Sequence, residues 1–294
     1  MSNRIPVLKT YKIFINGQFP RTESGRYYKV KDAKGKFIAN ACLCSRKDVR
    51  DAVKAAYEAI GKWNKSSAFL KSQIVYRMAE VLEGRKNQFI DELTLYYGDA
   101  SKAKEEVESS IDRLVYFSGW ADKYQQVFSS VNPIAGSYFN FSVYEPTGVI
   151  GIFCPDEFPL LGLISAIIPA IVAGNCVVAL ASEKYPLPSI TFAEALATSD
   201  LPSGVVNILT GSRKELIDHL STHLQVHGLV YFGNNQDEIK TLQNNASINV
   251  KRVNIYPVDM SENVVENPYR ILDVCEVKTT WHPIENIQPS GGGY

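Results

Sequence analysis

Four things are scarce in this sequence, and each scarcity excludes something. Net charge is the first: 31 Lys and Arg balance 31 Asp and Glu. Such a chain has no electrostatic footprint for nucleic acid or an anionic membrane, and little charge to oppose self-association. Long apolar runs are the second. The best candidate, Phe158–Ala173, is interrupted by Pro169 and is shorter than the roughly 20 residues a membrane span needs. The segment MSNRIPVLKTYKIFINGQ has no apolar signal core. Cysteine is the third: Cys42, Cys44, Cys154, Cys176 and Cys275 are odd in number and form no CxxC pair. A reduced, cytoplasmic protein is expected, with no metal site and neither nucleic acid nor membrane as partner. The fourth is the GxGxxG phosphate loop, which is absent.

What is present is organised around Gly148–Glu183, GVIGIFCPDEFPLLGLISAIIPAIVAGNCVVALASE. Two continuously apolar strands, Gly148–Phe153 and Cys176–Ala181, flank the helix Phe158–Ala173. Unbroken rather than alternating apolar strands indicate a parallel sheet covered on both faces. Any ligand site belongs at the turn after the first strand, Cys154-Pro155-Asp156-Glu157-Phe158.

Before this unit, alternation through Thr10–Pro20 with Asn16-Gly17 as the turn predicts a two-stranded ribbon. Val30–Cys44 reads as extended. Ser45 caps a helix reaching Trp63, a second helix starts near Ser66 or Ser67, a third ends at Gly98, and a fourth spans about Lys102–Tyr124. The aromatics Tyr116, Phe117, Trp120 and Tyr124 read as one core face plus an exposed rim. Ser129–Pro146 is a polar-aromatic β-ribbon that needs another strand to lie against. After the unit, helices and strands alternate: helix Ser189–Thr198, strand Val205–Leu209, helix Arg213–Leu224, strand Gly228–Phe232, helix Gln236–Asn244 and strand Val250–Ile255. This predicts an α/β fold with a doubly wound, Rossmann-like sheet. Val274–His282 is a further strand and the tail SGGGY is read as flexible. The parts are then 1–128, a ribbon and helices; 129–146, the exposed ribbon; 147–258, the α/β core; and 259–294, a connection and last strand.

Taken alone, the chemical motifs are weak. Thr210-Gly211-Ser212-Arg213 opens a helix after a strand, where pyrophosphate can sit, but an ordinary turn has the same form. Asp156 and Glu157 could do acid–base work, or simply complement a helix N-terminus. His219, His223 and His227, spaced i, i+4, i+8, could ligate a metal from one helix face, or form a polar face.

Together, the motifs resemble the aldehyde dehydrogenase superfamily. The residues that carry the likeness are Glu145–Gly151, Pro155–Leu160, Pro169–Val178 with Glu183, Leu201–Asn207 with Gly211, Val250–Ile255, and Glu276–Thr280. The resemblance implies the family's NAD-binding domain with N-terminal helices and a β-ribbon oligomerisation flap. The family's catalytic domain is absent between Tyr256 and the final strand. Family site positions are changed. The oxyanion donor falls on Glu157, the ribose lysine on Leu180, the second glycine of the pyrophosphate turn on Arg213, the FTGS serine on Asn234 and the general base on Tyr256. No catalytic residue is therefore carried over. The positions left for a dinucleotide are Glu183, Gly211, Ser212, Gly233 and Asn234, so no cofactor is expected and NAD(P) would bind weakly at best. The kept ribbon and strand imply oligomerisation through Tyr138, Phe139, Phe141, Val143, Val277, Thr279 and Trp281. The chain resembles the second half of double aldehyde dehydrogenases, which lacks its catalytic domain. The expected function is a non-catalytic subunit, pairing with itself or with a full-length aldehyde dehydrogenase. The alternatives are an aldehyde oxidoreductase with a reduced site using Asp156, Glu157 or Cys275, and a dinucleotide-binding regulator.

Overall fold

A computed structural model describes residues 8–260 and 265–284. The tail SGGGY, the first seven residues and part of the 259–268 connection lie outside these. A hairpin of β1 (Tyr27–Lys31) and β2 (Phe37–Cys42) precedes four helices: α1 (Arg46–Asn64), α2 (Ala68–Gly84), α3 (Lys86–Tyr97) and α4 (Ala100–Trp120). Their ends follow from local chemistry. Ser45 and Asp48 form a reciprocal capping box on α1, Ser67 caps α2, and Asp99 caps α4. A short helix, α5 (Tyr124–Phe128), leads to β3 (Ser130–Val131) and β4 (Tyr138–Pro146). Phe117 and Tyr124 are buried while Tyr116 and Trp120 are half-buried, so that aromatic group is a core face with a rim.

The central unit is β5 (Val149–Phe153), α6 (Leu161–Val172) and β6 (Cys176–Leu180). It continues through α7 (Leu187–Ala197), β7 (Val206–Leu209), α8 (Arg213–Ser221), β8 (Gly228–Phe232), α9 (Gln236–Ser247) and β9 (Arg252–Tyr256). The strands run parallel in the order β7-β6-β5-β8-β9. The connection reverses direction between β5 and β8, which makes their carboxyl ends the switch point of a doubly wound sheet. Every residue of β5 to β8 is buried, as a sheet covered on both faces requires. One apolar cluster runs from Ile13 through the N-terminal helices into the sheet.

Three local expectations are corrected. Around Asn16-Gly17 only a single bridge, Ile15 to Gln18, forms. Phe14 instead exchanges two backbone hydrogen bonds with Ile208 on the β7 edge, so the segment closes the sheet rather than pairing with itself. The helix α8 ends at Ser221, three residues before Leu224. Val250 is 91% exposed with a left-handed backbone (φ 55), so β9 begins only at Arg252.

The ribbon does find its partner strand. β10 (Cys275–Pro283) pairs antiparallel with all nine residues of β4, in a separate sheet ordered β10-β4-β3.

The turn Leu201-Pro202-Ser203-Gly204 shows why its glycine is required. Gly204 has φ +84, and a Cβ there would lie 2.5 Å from the Ala55 carbonyl oxygen on α1. Gly35 has φ +78 but open space around it. Gly204→Ala should cost about 2–4 kcal/mol, combining backbone strain with a steric clash, whereas Gly35→Ala should cost only the conformational part, about 1–2 kcal/mol. Urea denaturation of both variants measures the difference, and equal losses would refute the steric account.

Candidate functional site

The carboxyl ends of β5, β6, β7 and β8 form a crevice at the switch point, and the loops above it are tied together by the chain's own charged groups. From the turn after β5, the Asp156 carboxylate accepts from Ser182 Oγ (2.8 Å) and from the backbone N–H groups of Glu183 (2.8 Å) and Lys184 (3.3 Å). It thus caps the turn after β6. The same β5 turn is held from below by α3: Tyr96 donates to the Asp156 carbonyl and Tyr97 to the Glu157 carbonyl, each at 2.9 Å. Glu157 itself is exposed, and its carboxylate accepts only from the Asp156 N–H, at 3.1 Å.

Neither carboxylate of the Asp156–Glu157 pair accepts from the N–H groups that open α6. Those go to Glu106 of α4, which sequence reasoning missed. Its Oε1 accepts from Leu160 N (2.8 Å) and Leu161 N (3.0 Å), while its other oxygen takes the Tyr97 hydroxyl. Nothing local in Ala100–Trp120 marks this residue as a cap for α6, because Leu160 and Leu161 lie more than fifty positions away. Glu106, Tyr97, Lys102, Arg113, Phe158 and Met260 line a cleft of about 500 Å³ beside the β5 turn. Arg113, fully buried on α4, spans it by donating to Ser165 Oγ (2.9 Å) and the Met260 carbonyl (3.3 Å), and it pairs with Glu266.

The start of α8 is where a pyrophosphate would be sought. The Glu183 carboxylate accepts from Arg213 N at 2.8 Å, so the leading N–H of the helix is already paired. The Arg213 side chain crosses the crevice, donates to the Cys154 carbonyl (2.6 Å), pairs with Glu238 (3.4 Å) and lies over the Tyr231 ring. Tyr231 donates to the same Glu238 oxygen. The predicted dinucleotide positions are therefore only partly brought together. Glu183 and Arg213 meet. Gly211 instead lets β7 approach the N-terminal segment, since a Cβ there would sit 3.0 Å from Cys44 N. Gly233 makes room for the Tyr231 hydroxyl, and Asn234 is exposed, with its carbonyl accepting from Gln236. Ser212 precedes α8 without a side-chain cap bond. Leu180 is buried.

Tyr256, at the end of β9, packs on Phe232 and carries the Arg270 guanidinium 3.4 Å above its ring, while its hydroxyl is taken by Asp273. Position 256 thus carries a phenol bound to the Asp273 carboxylate. All five cysteines are free and buried. Burial pushes the Cys154, Cys176 and Cys275 thiols up to about 12, so none is a thiolate near neutral pH. Cys275 instead donates to the Ile271 carbonyl.

The three histidines are not on one helix face, because α8 ends between His219 and His223. Among the described residues no metal-ligating cluster occurs. His227 uses Nδ1 to accept the Val149 N–H, at 3.0 Å, at the start of β5.

The aldehyde dehydrogenase family profile matches residues 19–267. Relatives include omega-crystallin of Enteroctopus dofleini, 30% identical over 86% of this chain and 51% of that protein. Another is the cytosolic 10-formyltetrahydrofolate dehydrogenase of Xenopus tropicalis, 32% identical over 86% of this chain and 29% of that protein. Among solved structures, the NAD+ complex of a Bacillus cereus aldehyde dehydrogenase superposes with a TM-score of 0.80 at 24% identity, covering 85% of this chain and 51% of that one. At that identity the superposition speaks for the fold alone. The chain thus spans about half the length, or less, of the relatives it matches.

Burial first, and Lys251 second, lower the His227 pKa. The unfolded chain then binds the proton more readily, so the stability contributed by neutral His227 is present above about pH 6.5 and is lost as pH falls below it. Denaturant midpoints measured down the acid limb should fall, and His227→Gln, which keeps an acceptor without titrating, should flatten that limb. An unchanged slope would contradict this role.

Proposed function

This chain belongs to the aldehyde dehydrogenase family, and we propose that it is a non-catalytic subunit that associates through its ribbon sheet, with a second copy of itself or with a complete aldehyde dehydrogenase. The observation that carries this reading is the β10-β4-β3 sheet. β10 is an edge strand of nine residues whose outer side has no partner among the described residues. Opposed residues share a face, so Val277, Thr279 and Trp281 lie with Tyr138, and Tyr138 meets the Trp281 ring edge-on. Phe139, Phe141 and Val143 lie on the other face. Val277, Trp281, Tyr138 and Phe139 are each more than two-fifths exposed. Open edges and exposed aromatic faces of this kind bind other chains.

The crevice supports the same reading. Asp156, Glu183 and Glu238 stand around the start of α8 and the β5 turn, where the resemblance would seat a dinucleotide's phosphates, and Arg213 among them is committed to Glu238 and a carbonyl. Like charge facing a pyrophosphate is unfavourable. No catalytic-domain insert stands between β9 and β10; residues 257–274 make the whole connection.

Two measurements test this. Light scattering after size-exclusion chromatography should give a dimer or larger assembly, or co-elution with a co-expressed complete aldehyde dehydrogenase. The double variant Val277→Lys, Trp281→Glu should abolish that association while leaving the circular dichroism unchanged. A wild-type chain that stays monomeric and never co-elutes sinks the proposal. In calorimetry, NAD and NADP should bind weakly or not at all; micromolar binding would instead favour a dinucleotide-regulated subunit.

A further inference from the structure

A second cleft, of about 460 Å³, lies where the ribbon joins the core. One wall is α2, which contributes Lys71. Opposite are Asn64 at the end of α1, Tyr124 and Gln125 of α5, and Pro146 at the end of β4. Lys71 is only 7% exposed. Its Nζ sits over the Trp63 ring, 5.7 Å from the centroid, and makes no hydrogen bond or ion pair among the described residues. Across from it is Gly174, where a Cβ would come within 3.1 Å of Nζ. A lysine this deep normally ends on a carboxylate or a carbonyl, since an unpaired buried ammonium is costly.

The groups around Lys71 do not supply such a partner. Cys176 of β6 and Cys275 of β10 are its nearest titratable neighbours, and burial keeps both thiols neutral. The Tyr124 hydroxyl is likewise held protonated by burial. The two carboxylates of the cleft are committed elsewhere, Asp122 to Lys123 and Glu145 to Lys278. Burial therefore lowers the Lys71 pKa. A desolvated, unpaired lysine amine gives up its proton more readily than a surface lysine and is the readier nucleophile.

We propose that Lys71 is a covalent binding site for a small, uncharged carbonyl compound, which enters this cleft and is held as an imine on Nζ. The amine nitrogen adds to the carbonyl carbon, a proton passes from nitrogen to oxygen, and the carbinolamine loses water to leave the C=N bond. No oxidant or reductant takes part. The apolar lining of Pro146, Val172 and Ala173 and the two carboxylates favour a neutral molecule over an anion. The volume falls within the range of small-molecule sites.

Incubating the full chain with propanal and sodium cyanoborohydride, then mapping the alkylated peptides, tests this directly. Lys71 should be alkylated several-fold faster than the exposed Lys47 and Lys54 despite its burial. Lys71→Arg should remove that rapid phase and leave the slow surface reaction unchanged. Should the arginine variant fail to fold, the order of rates in the wild-type protein decides alone. Alkylation of Lys71 no faster than the surface lysines, or only after urea unfolding, would overturn the proposal.

Discussion

A parallel sheet cannot face water, and the rest of the molecule answers that constraint. With β5 to β8 buried along their whole length, both faces need helical cover and both edges need closing. The helices α1 to α4 are the extra layer that this requires, which is why their apolar residues join one cluster with the strands. Closure of the β7 edge by Phe14 and the stacking of Arg270 on Tyr256 beside β9 serve the same end.

Within that frame, the loops of the crevice are tied to one another. Polar groups at the carboxyl ends of the strands normally face outward to a ligand. Here Asp156, Glu183, Arg213 and Glu238 satisfy one another and the neighbouring backbone. Each loop is fixed by the next, so the region is held by hydrogen bonds that a ligand would have to displace. The ribbon is the opposite case: Tyr138, Phe139, Val277 and Trp281 stay exposed, and the outer edge of β10 has no partner among the described residues.

The element order was legible in the sequence because it rests on local signals. Ser45, Ser67, Gly98 and the continuous apolar strands each act within a few residues, and the family motifs placed the crevice. What escaped was non-local. Glu106 capping α6, Arg113 spanning α4 and the connection, and Lys71 under the ribbon depend on pairings across tens to more than a hundred positions. No periodicity encodes these. Boundaries failed where context overrode propensity: Val250 reads as strand but turns left-handed, and Leu224 reads as helix but lies beyond the end of α8. Which ribbon residues share a face depends on the long-range register of β4 against β10, which sets Tyr138 with Val277, Thr279 and Trp281, and Phe139, Phe141 and Val143 on the other side.

The pairing of β4 with β10 also has a consequence in time. During synthesis β4 is complete long before residues 275–283 leave the ribosome, yet β3 covers only two of its positions. Tyr138, Phe139 and Phe141 therefore wait on an unpaired strand while the whole α/β core forms beside them. Among the described elements the ribbon closes after the core strands have been made, and until β10 arrives the nascent chain presents to its neighbours an adhesive strand that the folded ribbon half covers.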